Sequence, residues 1–427
     1  MKLNYKQTFF ISLGFMSICA FWQLYDNVIP LILSNTFHLK ETTTGVIMAM
    51  DNILALFLLP LFGALSDRVH TKLGKRTPFI LVGTILSVIF MMILPIADRN
   101  ENFLLYIISL GILLISMGSY RSPAVALMPD VTPKQLRSSA NAVINLMGTI
   151  GAIFTLIMIK FLVPKISKPD YRNVFMVVAI FMLVCVGILL FKVRENKLRN
   201  SIFVEEENKE PTSLADNTIM QNKLPKDIMK SLIYLLVSVF LWFTAYNAVT
   251  TAYSRYASRV WGLEGGSFAD SLLVATGAAT ISYIPIGILS SKIGRKKTIL
   301  GGIILITISY FFGFLFASFS PVIFAVFALT GIGWAAINVN SYPMAVDMSK
   351  GFDVGKYTGL YYIFSMSAQI ATPILSGLLL EKISYRTLFP YAVFFSILSF
   401  CTMLKVAHGD IKPLRKKRVL ENFDIED

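Results

Sequence analysis

The sequence predicts an all-α membrane protein, with twelve transmembrane helices in two six-helix bundles. Three observations carry that expectation. The 427 residues are 55% hydrophobic and only 15% charged, with a mean hydropathy of +0.66, and a soluble domain needs more polar surface than this. Apolar runs long enough to cross a bilayer alternate with charged segments. Finally, a dense charged stretch in the first half, Gly63-Ala-Leu-Ser-Asp67-Arg68-Val-His-Thr-Lys72-Leu-Gly74-Lys75-Arg76-Thr-Pro78, has a shorter copy in the second, Gly287-Ile-Leu-Ser-Ser-Lys292-Ile-Gly294-Arg295-Lys296-Lys297. One such segment is an ordinary turn between helices, whereas two at matching places mark an internal repeat.

Taken in order, the apolar runs place helices at about 8–34, 42–65, 78–97, 103–129, 138–163, 172–193, 229–256, 267–290, 298–318, 321–346, 356–381 and 386–406. Twelve spans of roughly 21 residues occupy about 250 residues, which leaves short loops and one long connection. Lys2 and Lys6 precede a first apolar run too long for a signal-peptide core, so it reads as an uncleaved helix. Pro133 and Pro321 mark breaks or helix starts. The expected units are a bundle over 1–193, a solvated linker over 194–228, a second bundle over 229–406 and a tail over 407–427. Gly74 and Gly294 permit the tight turns, and Met-Pro-Asp130 at the end of helix 4 corresponds to Ala-Val-Asp347 at the end of helix 10.

Most of the 39 lysines and arginines fall in the tails and even-numbered loops. That bias places both termini in the cytoplasm of a cell-membrane protein and leaves Arg121 as the one basic residue read within a span. The net charge of +14 therefore belongs to loops beside a lipid bilayer and is no sign of nucleic-acid binding. Cys19, Cys185 and Cys401 sit in apolar runs and read as buried thiols. His38, His70 and His408 fall in loops or tails, which excludes a histidine proton relay within the membrane. Neither paired metal ligands nor a Ser–His constellation is present, so no enzyme, metal site or cofactor is expected.

Ionisable residues within spans cost several kcal/mol unless paired or wetted, which makes each one a functional candidate. Asp26 on helix 1 and Asp51 on helix 2 lie at roughly 25 and 22 Å from the cytoplasmic ends of their helices, where they could meet and carry a proton or sodium ion. Arg121 on helix 4 lies roughly 13 Å from its cytoplasmic end, not level with Asp26, so no simple salt bridge between them is expected. Polar stripes offer solute contacts: Asn141 and Asn145 on helix 5, and Trp242, Tyr246, Asn247, Thr251, Tyr253 and Ser254 on helix 7. Helix 10 adds Trp334, Asn338 and Asn340, and helix 11 adds Ser365, Gln369 and Thr372. Amides bond hydroxyls and aromatic rings cover the C–H face of a sugar, so together they favour a small polar solute such as a sugar.

The charged loop and its copy resemble the signature loops of the major facilitator superfamily of secondary transporters. Ser66-Asp67-Arg68 with Gly74-Lys75-Arg76-Thr-Pro78, together with Tyr120-Arg121-Ser-Pro-Ala-Val-Ala126-Leu-Met-Pro-Asp130 and Arg137-Ser-Ser-Ala-Asn141, resembles the glycoside–pentoside–hexuronide:cation and sucrose–proton symporters, bacterial type. This likeness is strongest over about 45–150. It departs at Val125, where plant and animal sucrose transporters carry an arginine. The resemblance implies import of a glycoside or related sugar coupled to protons or sodium. The mechanism expected from the residues is alternating access by a monomer, with Asp26 and Asp51 coupling the cation. Arg121, Asn141, Asn145, Tyr246, Asn247, Asn338 and Gln369 would bind solute. Gly63, Asp67, Arg68, Gly74, Lys75 and Arg76 would form a gating loop whose charges latch one side and release as it opens. Drug or metabolite antiport and transport of a lipid-like solute are the alternatives.

Overall fold

The computed structural model describes residues 4–133, 136–166, 168–199, 225–348 and 354–410. Twelve long helices are α1 (Tyr5–Asn35), α2 (Glu41–Arg68), α3 (Thr77–Arg99), α4 (Phe103–Asp130), α5 (Arg137–Leu162), α6 (Arg172–Lys192), α7 (Lys226–Trp261), α8 (Ala269–Ile293), α9 (Arg295–Leu315), α10 (Val322–Met348), α11 (Val354–Lys382) and α12 (Leu388–Leu404). All twelve are long and apolar enough to cross a membrane, so the chain is a multi-pass membrane protein. Helices satisfy their own backbone groups, which hydrocarbon cannot do, and among the described residues no strand competes with them.

The helices form two six-helix bundles with the same internal plan. In the first, α1 packs on α5 and α6, α3 on α4 and α6, and α2 on α4. Adding six to each number reproduces the second bundle: α7 on α11 and α12, α9 on α10 and α12, α8 on α10. The bundles meet along α2 with α11, α5 with α8, and α1 with α7. Repeat symmetry reaches the turns as well. Gly74 (φ +124°) and Gly294 (φ +98°) both adopt backbone that a Cβ would strain, and both lead into the next helix.

Helix ends match the sequence reading to a few residues except in α7, which continues to Trp261, more than a turn beyond its predicted end. Arg255, already within the predicted span 229–256, lies well inside this longer helix and is buried, so Arg121 is not the lone intramembrane basic residue. The start of the predicted linker is helical over 195–199 and anchored by the fully buried Glu195, while Arg194, Asn196 and Lys197 are exposed as expected of a solvated segment. Linker residues 200–224 and tail residues 411–427 lie outside the described residues. Of the three thiols only Cys185 is buried, while Cys401 is exposed on α12, where an apolar side chain faces lipid at no cost.

Candidate solute and cation site between the bundles

Tyr120 fixes the first half of the site. Its ring is fully buried, and its hydroxyl bonds Ser17 Oγ and donates to the Gly14 carbonyl (3.2 Å), clamping α4 to α1. The next residue, Arg121, then turns toward Trp22 of α1, with its guanidinium 5.5 Å from the ring centroid. Asp26 lies one turn beyond Trp22 on the same helix. Asp26, Asp51 and Arg121 are within electrostatic reach of one another, and all three side chains are half-buried although they sit mid-helix. Half-burial at that depth means that none of the three is sealed into the packed core of its bundle. Asn52 donates to Asp51 Oδ1 (2.8 Å). Among the described residues no ion pair joins Arg121 to either carboxylate.

The second bundle faces this cluster with an aromatic platform. Tyr246 stacks on Trp334 with centroids 3.7 Å apart and an interplanar angle of 7°. Tyr246 also lies within electrostatic reach of Asp26 across the gap and of Tyr283. Tyr283 is in turn close to Asn338, whose side chain is exposed. Gln369 is half-buried on α11 and donates only a long 3.4 Å bond to the Ser365 carbonyl. Asn247 is half-buried, its Nδ2 without an acceptor among the described residues. Asn141 and Asn145 are exposed on α5, one turn apart on a single face. The remaining polar stripe residues are otherwise employed. Trp242, Tyr253, Ser254, Asn340, Ser365 and Thr372 are all buried within the second bundle, and Asn340, Ser365 and Thr372 bond carbonyls of their own helices (2.9, 3.0 and 2.6 Å). Helical spacing alone does not distinguish that role from lining a cavity.

At one end of the molecule the charged loops brace each bundle separately. Arg76 Nη2 reaches Asp67 (2.6 Å) and its Nε reaches Asp130 (2.8 Å), while Lys75 bonds both carboxylates at 3.1 and 3.0 Å. Arg76 Nη1 also donates to the Gly63 carbonyl (3.0 Å) and to Ser66 Oγ. Glu195 caps α3, accepting from the backbone N–H groups of Lys75 (2.8 Å) and Thr77 (2.9 Å), from that of Arg76, and from the Thr77 hydroxyl (2.8 Å). The second bundle repeats the arrangement with Arg295 on Asp347 and Asp410 accepting from the Lys296 N–H (3.2 Å). Arg68 is exposed and makes no ion pair among the described residues. In this conformation the loop charges, expected to latch one side and to release as it opens, meet partners within their own bundle.

The polar contacts that join the bundles in this structure lie at the other end, in residues the sequence reading did not single out. Glu41 and Arg255, 6% and 4% exposed, form an ion pair across the bundles with Nε–Oε2 at 3.3 Å. Tyr385 donates to the other Glu41 oxygen. Around this pair the Thr42 N–H donates to Glu381 (3.1 Å), Arg259 to Ser34 Oγ (2.7 Å), and Lys160 pairs with Asp270 (2.7 Å). Gly45 lies against the Pro373 carbonyl and Gly377 against that of Glu41, approaches that admit no Cβ. Among the described residues, every hydrogen bond and ion pair between bundles lies at this end. Arg255 was legible as a cation inside a predicted span; Glu41, at a predicted helix start, gave no signal.

A twelve-helix chain with two like bundles, closed at one end around an intramembrane polar cluster, has the architecture of a membrane transporter that moves small solutes. The chain matches the Major Facilitator Superfamily over residues 11–283 and 264–422 and belongs to that family. It is 24% identical to an uncharacterised transporter of that type from Methanocaldococcus jannaschii over 88% of this chain and 89% of the relative. It is 27% identical to the sucrose transport protein SUC3 of Arabidopsis thaliana, over 28% of this chain and only 23% of that protein. Among solved structures it is similar to a bacterial homologue of the human drug peptide transporters PepT1 and PepT2 (TM-score 0.68, 14% identity, 95% and 98% of the two chains). A bacterial homologue of the iron transporter ferroportin is comparable (TM-score 0.66, 14% identity, 95% and 99%).

Proposed function

We propose that this transporter imports a glycoside or other sugar by symport with a proton or sodium ion, through alternating access of the two bundles. The observation that carries the reading is the cluster of Asp26, Asp51 and Arg121, half-buried and without ion pairs to one another, opposite the Tyr246–Trp334 stack and Asn338. Two neighbouring carboxylates in a low-dielectric gap cannot both stay ionised at low cost, and a bound cation relieves that cost. Stacked aromatic rings and amides offer a sugar its apolar face and its hydroxyl bonds. Partial likeness to sucrose transport proteins agrees with this class of solute. In this reading the charged loops lie on the cytoplasmic side of the plasma membrane, both termini with them, and the structure is the cytoplasm-open state of a monomer. Asp67, Lys75 and Arg76 brace the first bundle as that side opens.

The test is proton and sodium flux into proteoliposomes on addition of mono-, di- and trisaccharides and glycosides. A solute-triggered flux of one ion supports symport; silence across the panel, in protein that melts cooperatively, overturns it. In the same vesicles Asp26→Asn is expected to abolish accumulation against a gradient while retaining measurable exchange. Equal loss of both activities assigns Asp26 to folding or solute binding instead.

A further inference from the structure

The end of the first bundle away from the charged loops holds polar side chains that the solute site does not use. Asp98 at the end of α3, Tyr106 near the start of α4, Tyr171 just before α6 and Tyr25 on α1 are 7%, 0%, 3% and 1% exposed. Asp98 Oδ1 and the Tyr106 hydroxyl have no hydrogen-bond partner among the described residues. Buried oxygens of this kind are ordinarily satisfied by ordered water. The groups also form a graded series in depth. At roughly 1.5 Å per residue, Asp98 lies about 2 Å, Tyr106 about 5 Å and Tyr25 about 15 Å from this end of their helices, with Asp51 about 15 Å from the start of α2. Asp98 is within electrostatic reach of Tyr106, Tyr106 of Tyr25, and Tyr25 of both Asp26 and Asp51. At the surface end, Asp98 lies close to Thr36 and Tyr171 and among Lys168, Asp170 and Glu101.

We propose that Asp98, Tyr106 and Tyr25, with ordered water between them, form a proton path inside the first bundle that feeds Asp26 and Asp51 from the end where Glu41 and Arg255 join the bundles. The path rests on the sugar-symport reading and takes the proton as its coupling ion. A tyrosine hydroxyl accepts a proton on a lone pair and releases its own from the other side. One proton therefore enters at Asp98, one arrives on Asp26 or Asp51, and the tyrosines between end with the charge they began with. Solute and proton reach the site by different routes, one between the bundles and the other through the interior of a single bundle. Tyr25 is the last donor. Its hydroxyl makes a long bond to the Met48 carbonyl (3.5 Å), and a proton spent on a carbonyl is not passed on. Turning that hydroxyl from Met48 toward Asp51, one helical turn away on α2, completes the chain. An ionised carboxylate draws it and a protonated one does not, so delivery stops once the site holds its proton.

The experiment uses sealed proteoliposomes with a pH-sensitive dye in the lumen and a panel of methyl hexosides, disaccharides and trisaccharides. Solute-triggered proton entry is compared with solute exchange at equal pH, which needs no net proton movement, in wild type, Tyr106→Phe, Asp98→Asn and Asp98→Glu. Tyr106→Phe and Asp98→Asn are expected to slow proton entry at least about tenfold while exchange stays within about twofold of wild type. Asp98→Glu, which still carries a proton, is expected to restore most of the entry that Asp98→Asn loses. Unchanged entry in Tyr106→Phe overturns the path and leaves sugar symport standing, as does solute-triggered sodium flux without proton flux. Equal loss of entry and exchange makes these residues structural and also overturns it. Flux of neither ion with any sugar, in wild type that melts cooperatively, overturns both readings. Tyr106→Phe keeps the ring that packs on Phe37 with centroids 5.0 Å apart, so it decides should Asp98→Asn fail to fold.

Discussion

The two ends of this molecule use the same chemistry for opposite purposes. At the end bearing the charged loops, Arg76 with Asp67 and Asp130, and Arg295 with Asp347, tie helices together inside one bundle. At the other end Glu41, Arg255 and Tyr385 tie one bundle to the other, reinforced by Thr42 with Glu381 and Lys160 with Asp270. Charge density does not tell the two roles apart. The joining pair is buried and few in number; the bracing clusters are partly exposed and more numerous. A joint that must come apart is worth most when its groups are paired only in the joined state, because its loss then shifts the balance of conformations as well as the stability.

The largest expected effect comes from breaking the buried pair. Arg255→Met leaves Glu41 buried without its cation, a loss of about 3 kcal/mol that falls on the conformation closed at this end. Spin labels at Lys40 and Ser384, in a background with the native cysteines replaced, should report a longer and broader distance than in the parent. Adding Glu41→Leu should recover part of the closed population, since an apolar pair of similar volume carries no unpaired charge. An unchanged distance in Arg255→Met would remove the pair from the joint.

Sharpening the same comparison sterically, Gly45→Val pushes a side chain into the Pro373 carbonyl on the facing bundle. Overpacking at such a seam costs about 1–3 kcal/mol. It should open the same pair of labels without removing any charge, whereas Gly111→Val, where a Cβ meets nothing within 4 Å, should leave them in place.

At the bracing end, Glu195→Ala removes the cap of α3 and should cost about 0.5–2 kcal/mol. Hydrogen exchange should quicken at the amides of Lys75, Arg76 and Thr77 while the Lys40–Ser384 distance stays put. A change in that distance would mean that the loop end also joins the bundles.

The smallest effect belongs to the surface pair of Lys168 and Glu101 at 2.5 Å. Lys168 holds the exposed Glu101 carboxyl below the usual glutamate range. Its contribution is thus present above that range and is lost as pH falls through the lowered folded value. Solvent screening makes Lys168→Ala nearly silent in melting temperature at neutral pH, and any residual difference from the parent should vanish on acidification. A large shift at neutral pH would contradict that.

Hydropathy and repetition made much of this protein legible. Twelve spans, two like bundles and the equivalence of Gly74 with Gly294 follow from the length of apolar runs and from the turn chemistry that only glycine supplies at those φ values. Asp26, Asp51 and Arg121 stood out because an ionisable group in hydrocarbon is conspicuous in any sequence. Partnership was not legible. Tyr246 and Tyr253 share a face of α7, yet one meets the gap and the other is buried against Phe327. Asn338 and Asn340 differ in the same way on α10.

Only the tertiary structure decided which charges brace a bundle and which join the two. Glu41 and Arg255 lie 214 residues apart (255 − 41) in sequence, and no local pattern couples them. The sequence by itself determined the number of spans, their repeat and the candidates inside them, since each of those is set by the free energy of single segments in a bilayer. Which candidate faces which is set by how the helices pack, and that depends on contacts between distant segments, such as the approach of Gly45 and Gly377 to the opposite backbone.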